Sequence, residues 1–463
     1  MQRIALFLIT ILLFTFFDAD AQRRGGTTYE SLLRQSDQPS GYSDHIIIPQ
    51  QDGTSSVSVI FRLEHDFIPF LRKRPNMDAP DNTYEYFSPV RMGLEIYEGE
   101  ARQGRRSNTP SGISIFRDTW SDTVWVETFE DTRSRFNHVQ GFMNTELQPG
   151  TYHYQLQLAR GGSERERPSQ VRTIVIPEVG STEKTEILLL NELTSGSNHA
   201  EATLLNYGSN VLYGQNYTLL VRLPQNANGT PNRYKVNIQK SGETQSDSAP
   251  VFSESISTDQ IITAGSSELF QQNDEIKLRL NPGDNGTQYA FIRVPNSEFE
   301  NSGYKISFVD TESDSTFAER TVQSRWIDMP VSLYSLDVSI NMLRFILSDR
   351  ELREMNSGSQ AERERKFREF WAQRDPTPDT EYNELMAEYY RRIDFSFQNF
   401  SSLQTPGYDT DRGKAYILYG PPVSIDRRLL PNQPTREIWE YPNRELIFEA
   451  VSGLGDFRLI SNS

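Results

Sequence analysis

The chain has 463 residues, 63 of them acidic and 47 basic, for a net charge of −16, and it contains no cysteine. The acidic surplus argues against nucleic acid as a partner, because phosphate binding needs basic surface. Without cysteine there are no disulfides, thiol nucleophiles, cysteine-ligated metals or lipid attachment at a cleavage-site cysteine. A chain long enough for about two to four domains must then be held by packing alone.

Residues 1–21 have the grammar of a secretory signal: Arg3, an apolar run from Ile4 to Phe17, then Ala19-Asp20-Ala21 as a small-x-small cleavage site. As a helix that run would be ~21 Å long, short of the ~30 Å hydrocarbon core, so cleavage before Gln22 is expected rather than anchoring. No later stretch is long and apolar enough to span a bilayer. The expectation is a protein exported to the periplasm or outer surface of a Gram-negative bacterium, not a lipoprotein, with no transmembrane segment after cleavage.

Residues 22–45 are polar and rich in Gly, Ser and Pro, which predicts a flexible tether with one helical turn at 29–33. From about residue 46 the pattern has period two. Val57, Val59, Phe61 and Leu63 alternate with mostly polar neighbours, as do Val90, Met92, Leu94 and Ile96, and then Tyr152, Tyr154, Leu156 and Leu158. Such alternation marks strands with one face buried and one wet. Pro149-Gly150 before Tyr152 is a turn of the kind common in immunoglobulin-like sandwiches, so a first β-sandwich is predicted over 46–178. Further strand candidates, with Asn-Gly turns at 228–229 and 285–286, predict a second immunoglobulin-like sandwich over 183–325.

After residue 326 the period changes. Residues 350–373 and 380–400 read as two amphipathic helices, the first stopped by Asp375-Pro376 and the second opened by Thr380 as N-cap. Short strands are predicted at 415–419, 437–441, 446–449 and 457–460, which makes 326–463 an α+β domain: a helical pair and a small antiparallel sheet. The whole chain is predicted to be mostly β with this α+β domain at its C-terminal end.

The C-terminal third resembles the GWxTD-domain proteins on five motifs in order. These are Trp371 with Arg374-Asp375-Pro376; Tyr389-Tyr390-Arg391-Arg392; Gly407-Tyr408-Asp409-Thr410-Asp411 continuing into Arg412-Gly413; Gly420-Pro421; and Trp439 followed by Tyr441-Pro442. Tyr408 stands where that family's motif has tryptophan. The resemblance implies an exported bacterial protein of the kind found in Bacteroidetes and their relatives, and implies no established activity.

Chemistry has few candidates. The five histidines all precede residue 200, so the C-terminal domain cannot by itself build a Ser-His-Asp centre or an HExxH zinc site. Asp409 and Asp411, with Asp375 and Glu388, could form a glycosidase-like acid pair. Asp, Thr and Gly in this spacing equally close turns through side-chain-to-backbone hydrogen bonds. Arg374, Arg391, Arg392 and Arg412 could hold an anion, or pair with the acidic residues around them. Asp310, Glu312 and Asp314 alternate in a loop without the rest of a calcium-site pattern. No catalytic set, cofactor site or metal site is read. The favoured reading is an exported, non-enzymatic envelope interaction or assembly protein whose partner is an envelope protein or glycan. The alternative is an envelope glycan hydrolase using carboxylates of the C-terminal domain.

Overall fold

In the computed structural model of the chain the described residues are 28–35, 41–50, 52–104, 109–163, 165–178, 185–195, 199–224, 233–242, 249–283, 286–402, 405–429, 433–451 and 456–462. The expected signal sequence, and the Asn-Gly turn at 228–229, lie outside them. The chain divides into two compact units. One is Pro39–Ile327; the other joins the helix Tyr29–Gln35 to Asp328–Ser463.

Unit Pro39–Ile327 holds two β modules. In the first, β1 (Gly41–Pro49), β2 (Ser55–Glu64) and β6 (His138–Leu147) form one antiparallel sheet. The second sheet contains β3 (Leu71–Arg72), β4 (Tyr86–Glu98), β5 (Ser114–Val126), β7 (Gly150–Arg160), β8 (Arg167–Pro168) and β9 (Arg172–Ile176). The alternating apolar residues of β2, β4 and β7 meet in one core, making a β-sandwich.

In the second module, β10 (Ile187–Ser195), β11 (Ala200–Leu204), β17 (Glu275–Pro282), β16 (Ile261–Gln272), β18 (Thr287–Val294) and β13 (Tyr217–Arg222) are neighbours in that order, and β13 pairs back to β10 to close a barrel. A five-stranded sheet of β12 (Asn210–Leu212), β20 (Ser315–Arg325), β19 (Gly303–Asp310), β14 (Tyr234–Lys240) and β15 (Phe252–Ser255) lies over it. One core fills the space between the layers, with Leu219, Ile292, Val236 and Phe308; a second fills the barrel, with Leu190, Leu278 and Leu280. The module is a two-layer sandwich, as read from the sequence, with one layer curled shut.

The modules are fused rather than strung in series. Ile46, Ile48 and Ile60 of the first module belong to the barrel core of the second. Asn206 donates through Nδ2 to Phe61 O at 3.0 Å and to Gln140 Oε1 at 2.7 Å. This changes the reading of β2, whose even positions looked wet. Ile60, Arg62 and Glu64 face the second module and are buried.

The C-terminal unit contains the helices Leu336–Met342, Asp349–Met355, Gln360–Ala372, Glu384–Phe400 and Asp411–Tyr419. The antiparallel sheet β21 (Ser424–Arg428), β22 (Arg436–Tyr441), β23 (Arg444–Ala450) and β24 (Phe457–Asn462) follows. Three sequence expectations are corrected here. The stretch 350–373 is two helices, because Ser348 and Ser359 each form a capping box, with Glu351 and Glu362, and so start separate helices. Asn383, not Thr380, caps Glu384–Phe400, accepting from Met386 N at 2.7 Å. Residues 415–419 are helical, not a strand. The short helix is wedged between two cores, with Ile417 in the helical one and Ala415 in the sheet one. Burial on two sides mimics the alternation of a strand.

The predicted tether 22–45 is corrected at 29–35 and 41–45; its residues 22–27 and 36–40 lie outside the described ones. Tyr29 and Leu32, one helical turn apart, are buried in the C-terminal unit's core, and β1 begins at Gly41. Among the described residues no helix is long and apolar enough to cross a membrane.

Candidate functional site

Pro406 leads into a single 3-10 turn, Gly407–Asp409, and Thr410 then caps the helix Asp411–Tyr419. The cap is local: Thr410 Oγ1 accepts from Gly413 N at 3.1 Å and donates to Gly407 O at 2.7 Å. Both motif glycines are required by close approach. A Cβ on Gly407 would sit 2.7 Å from the carbonyl carbon of Ser396 and 2.8 Å from Ser401 N; one on Gly413 would sit 2.8 Å from the carbonyl carbon of Gly407. Ser401 Oγ also accepts from Gly407 N at 2.8 Å. The turn is thereby pressed against the end of the helix Glu384–Phe400.

Around this backbone hub the motif side chains point to different partners. Tyr408 is buried, its ring stacked on Phe397 at 5.8 Å and edge-on to Tyr29 at 5.6 Å. Burial pushes its hydroxyl pKa up. Asp409 pairs with Arg344 at 2.8 Å, and that guanidinium also lies 5.3 Å from the Tyr408 ring. Asp411 reaches across to the sheet, where Oδ2 accepts from Leu459 N at 2.9 Å. Arg412 pairs with Glu437 at 3.2 Å and lies over the Phe457 ring at 4.1 Å. Glu437, buried on β22, also accepts from Trp439 Nε1 at 3.3 Å.

The other motif residues are distributed around the unit. Trp371 is buried against Tyr389 and Tyr390 at 5.4 and 5.7 Å. Arg374 lies over Phe370 at 3.8 Å, and Asp375 Oδ1 accepts from Thr377 N at 2.9 Å in the turn that Pro376 follows into. Arg391 pairs with Glu388 and Asp328, both at 3.3 Å, and donates to Tyr382 Oη at 2.8 Å. Arg392 pairs with Glu388 at 2.8 Å. Gly420, at φ +79°, ends its helix, and its carbonyl accepts from Tyr441 Oη at 3.0 Å. Pro421 and Pro442 are exposed, the latter in the tight turn between β22 and β23.

Of the four carboxylates read from the sequence as candidates for an acid pair, Asp411 and Asp375 are thus hydrogen-bonded to backbone N–H groups, while Asp409 and Glu388 pair with arginines. The four arginines have carboxylate or aromatic partners. The Asp310-Glu312-Asp314 loop is organised by Arg233, which bonds Asp310 Oδ2 at 2.6 Å and Glu312 at 3.1 Å. Among the described residues no group of three or more His, Asp or Glu is arranged to hold a metal ion.

The residue that sequence reasoning missed is Asp394. It is half-buried on the helix Glu384–Phe400 and accepts from Tyr29 Oη at 2.9 Å, Val331 N at 2.6 Å and Ser332 Oγ at 3.0 Å. Burial raises its pKa, against the pull of those hydrogen bonds. The available signal was a lone acid beside Ile393 and Phe397 on an otherwise apolar helix face.

Residues 308–450 match the family model described as the GWxTD domain. No curated protein matches the chain. Among solved structures, the C-terminal domain of the Streptococcus pyogenes antigen I/II-family protein AspA is 10% identical over 61% of this chain and 99% of its own, with a TM-score of 0.15. The C-terminal domain of the Streptococcus agalactiae AgI/II polypeptide BspA is 9% identical over 61% of this chain and 100% of its own, also with a TM-score of 0.15. The five motifs in order and the match over residues 308–450 together show that this part of the chain is a GWxTD domain.

Proposed function

We propose that the protein is an exported, non-enzymatic interaction or assembly protein of the cell envelope, working in the periplasm or on the outer surface with an envelope protein or glycan as partner. The observation that carries this reading is the engagement of the motif. Asp411, Thr410 and Gly413 are consumed in holding the helix Asp411–Tyr419 between helices and sheet. The apolar run at 4–17 followed by a small-x-small site supports export.

A docking edge is available in the same unit. Strand β21 pairs only with β22 among the described strands; Ile425 on it is 54% exposed, and Val423 and Leu429, flanking its two ends, are 74% and 72% exposed. An unpaired edge offers backbone donors and acceptors to an added strand, and alternate side chains set its specificity.

The test has two arms. A photo-crosslinking residue at Ile425 in the native host should give a discrete adduct in the envelope fraction. The purified protein incubated with isolated envelope glycan should release no reducing ends above a blank. Release that disappears in a folded Asp411→Asn variant would replace this reading with the hydrolase.

A further inference from the structure

We propose that the outer face of the β4–β5–β7 sheet is a binding groove for a neutral oligosaccharide. An open groove of about 630 Å³ lies there, lined among others by Pro89, Arg91, Ser121, Thr123, Trp125 and Ala159. Its size is within the ~300–1,000 Å³ typical of ligand sites.

The strand register explains why these side chains share one face. Pro89 pairs with Thr123, Arg91 with Ser121 on one side and Ala159 on the other, and Gly93 with Thr119 and Gln157. The intervening residues Val90, Met92, Leu94 and Leu158 point into the sandwich core, so this row points out. Its chemistry in the groove is consistent: the hydroxyls of Ser121 and Thr123, a small residue at Ala159, and one indole.

Each element suits a sugar ring. Trp125 is half-buried and is held by Phe87 at 5.4 Å and Tyr84 at 6.2 Å. It thus gives a rigid, amphipathic surface for the C–H face of a pyranose. Ser121, exposed opposite Arg91, and Thr123, opposite Pro89, stand on the same face as Trp125, so their hydroxyls are placed to exchange hydrogen bonds with ligand hydroxyls. Arg91 spends one N–H on Glu166 at 3.0 Å and has further donors in its planar fork.

Other ligand classes fit less well. A lipid or apolar ligand would contact Pro80, Pro89, Val90, Trp125 and Ala159 but would leave the Ser121 and Thr123 hydroxyls without partners. A polyanion would meet a guanidinium already paired with Glu166 and a chain of net charge −16. The inference deepens the interaction reading by naming a ligand class for the unit Pro39–Ile327. Binding is measured without reference to export or to the C-terminal motif, so its failure is distinguishable from theirs.

The experiment is titration calorimetry of the purified chain with four neutral hexasaccharides, of β-1,4-glucose, β-1,4-N-acetylglucosamine, α-1,4-glucose and β-1,4-mannose, and with polygalacturonate as the anionic probe. Saturable binding of at least one neutral hexasaccharide is expected. Trp125→Ala should weaken it about tenfold or more, and Ser121→Ala about threefold, since a tenfold change corresponds to one lost stacking or hydrogen-bonding contact of ordinary strength. Circular dichroism checks that the variants fold; if Trp125→Ala does not, Ser121→Ala together with Arg91→Gln, both at exposed positions, takes its place. The proposal is overturned if no neutral hexasaccharide binds, if only polygalacturonate binds, or if the folded variants bind as tightly as the parent.

Discussion

Gly413 packs directly on the backbone of Gly407: a Cβ there would stand 2.8 Å from the Gly407 carbonyl carbon and 3.1 Å from Tyr408 Cα. Neither contact is the movable tip of a side chain, so the two ends of the motif are locked by contact between backbones. Gly413→Ala is expected to cost about 3 kcal/mol or more, at the upper end of overpacking effects. Gly407→Ala, facing the Ser396 carbonyl, should behave alike. Urea unfolding of the purified chain measures both, and parent-like midpoints would show that the helix can shift freely.

Thr410 and Asp411 should separate by where their loss is felt. Thr410→Ala removes the helix cap at a cost of about 1 kcal/mol. Asp411→Ala leaves Leu459 N without its acceptor, at about 1–2 kcal/mol, and should speed amide exchange in β24. Asp411→Asn keeps an acceptor oxygen and should be milder. Equal exchange at Leu459 in Asp411→Ala and parent would mean the hydrogen bond contributes nothing.

Tyr29 fastens the N-terminal helix through one hydroxyl. Removing it in Tyr29→Phe deprives the half-buried Asp394 of a donor, a change costing about 1–3 kcal/mol. Hydrogen exchange across Tyr29–Gln35 should accelerate while β22 and β23 keep their protection. Uniform acceleration throughout the C-terminal unit would instead make the helix part of a single cooperative core.

Glu64 makes the junction between the β modules sensitive to pH. It is 1% exposed, and burial, with Asp66 adding to it, raises its pKa to about 7. Arg62, Arg325 and Arg135 oppose the shift; Tyr42 and Tyr207 also face it, and His138 stands opposite in register. A raised pKa means the folded state holds the proton more tightly than the unfolded one. Glu64's contribution is therefore fully present below about pH 4.5 and is lost as pH rises through 7. His138 runs the other way: burial lowers its pKa to about 4, so its contribution falls as pH drops from about 6.5 towards 4. Comparing Glu64→Gln with the parent isolates the first effect. The variant should gain relative stability, by about 2 kcal/mol, between pH 4.5 and 7.5. Parallel stability curves across that range would overturn the assignment.

The strands of the first sandwich were readable because one face of each is buried and the other wet, and that contrast is written in residues two apart, such as Val57, Val59 and Phe61. The helix 384–400 was readable for the same reason at its own period, and the motif at 407–413 because its residue types are unusual together. Position in the fold was not written this way. Arg62 and Glu64 occupy the wet face of β2 by pattern, yet a second module covers them. The segment 29–35 has a tether's neighbours, but Tyr29 and Leu32 find a core about 300 residues away in sequence. Residues 415–419 read as a strand because two different cores touch one short helix. Local periodicity records whether a residue is covered, and only the tertiary structure decides by what. The same limit applies to the motif: its aspartates were visible in the sequence, but whether they face an open cleft, an arginine or the N–H of Leu459 depends on which elements the fold brings to that turn.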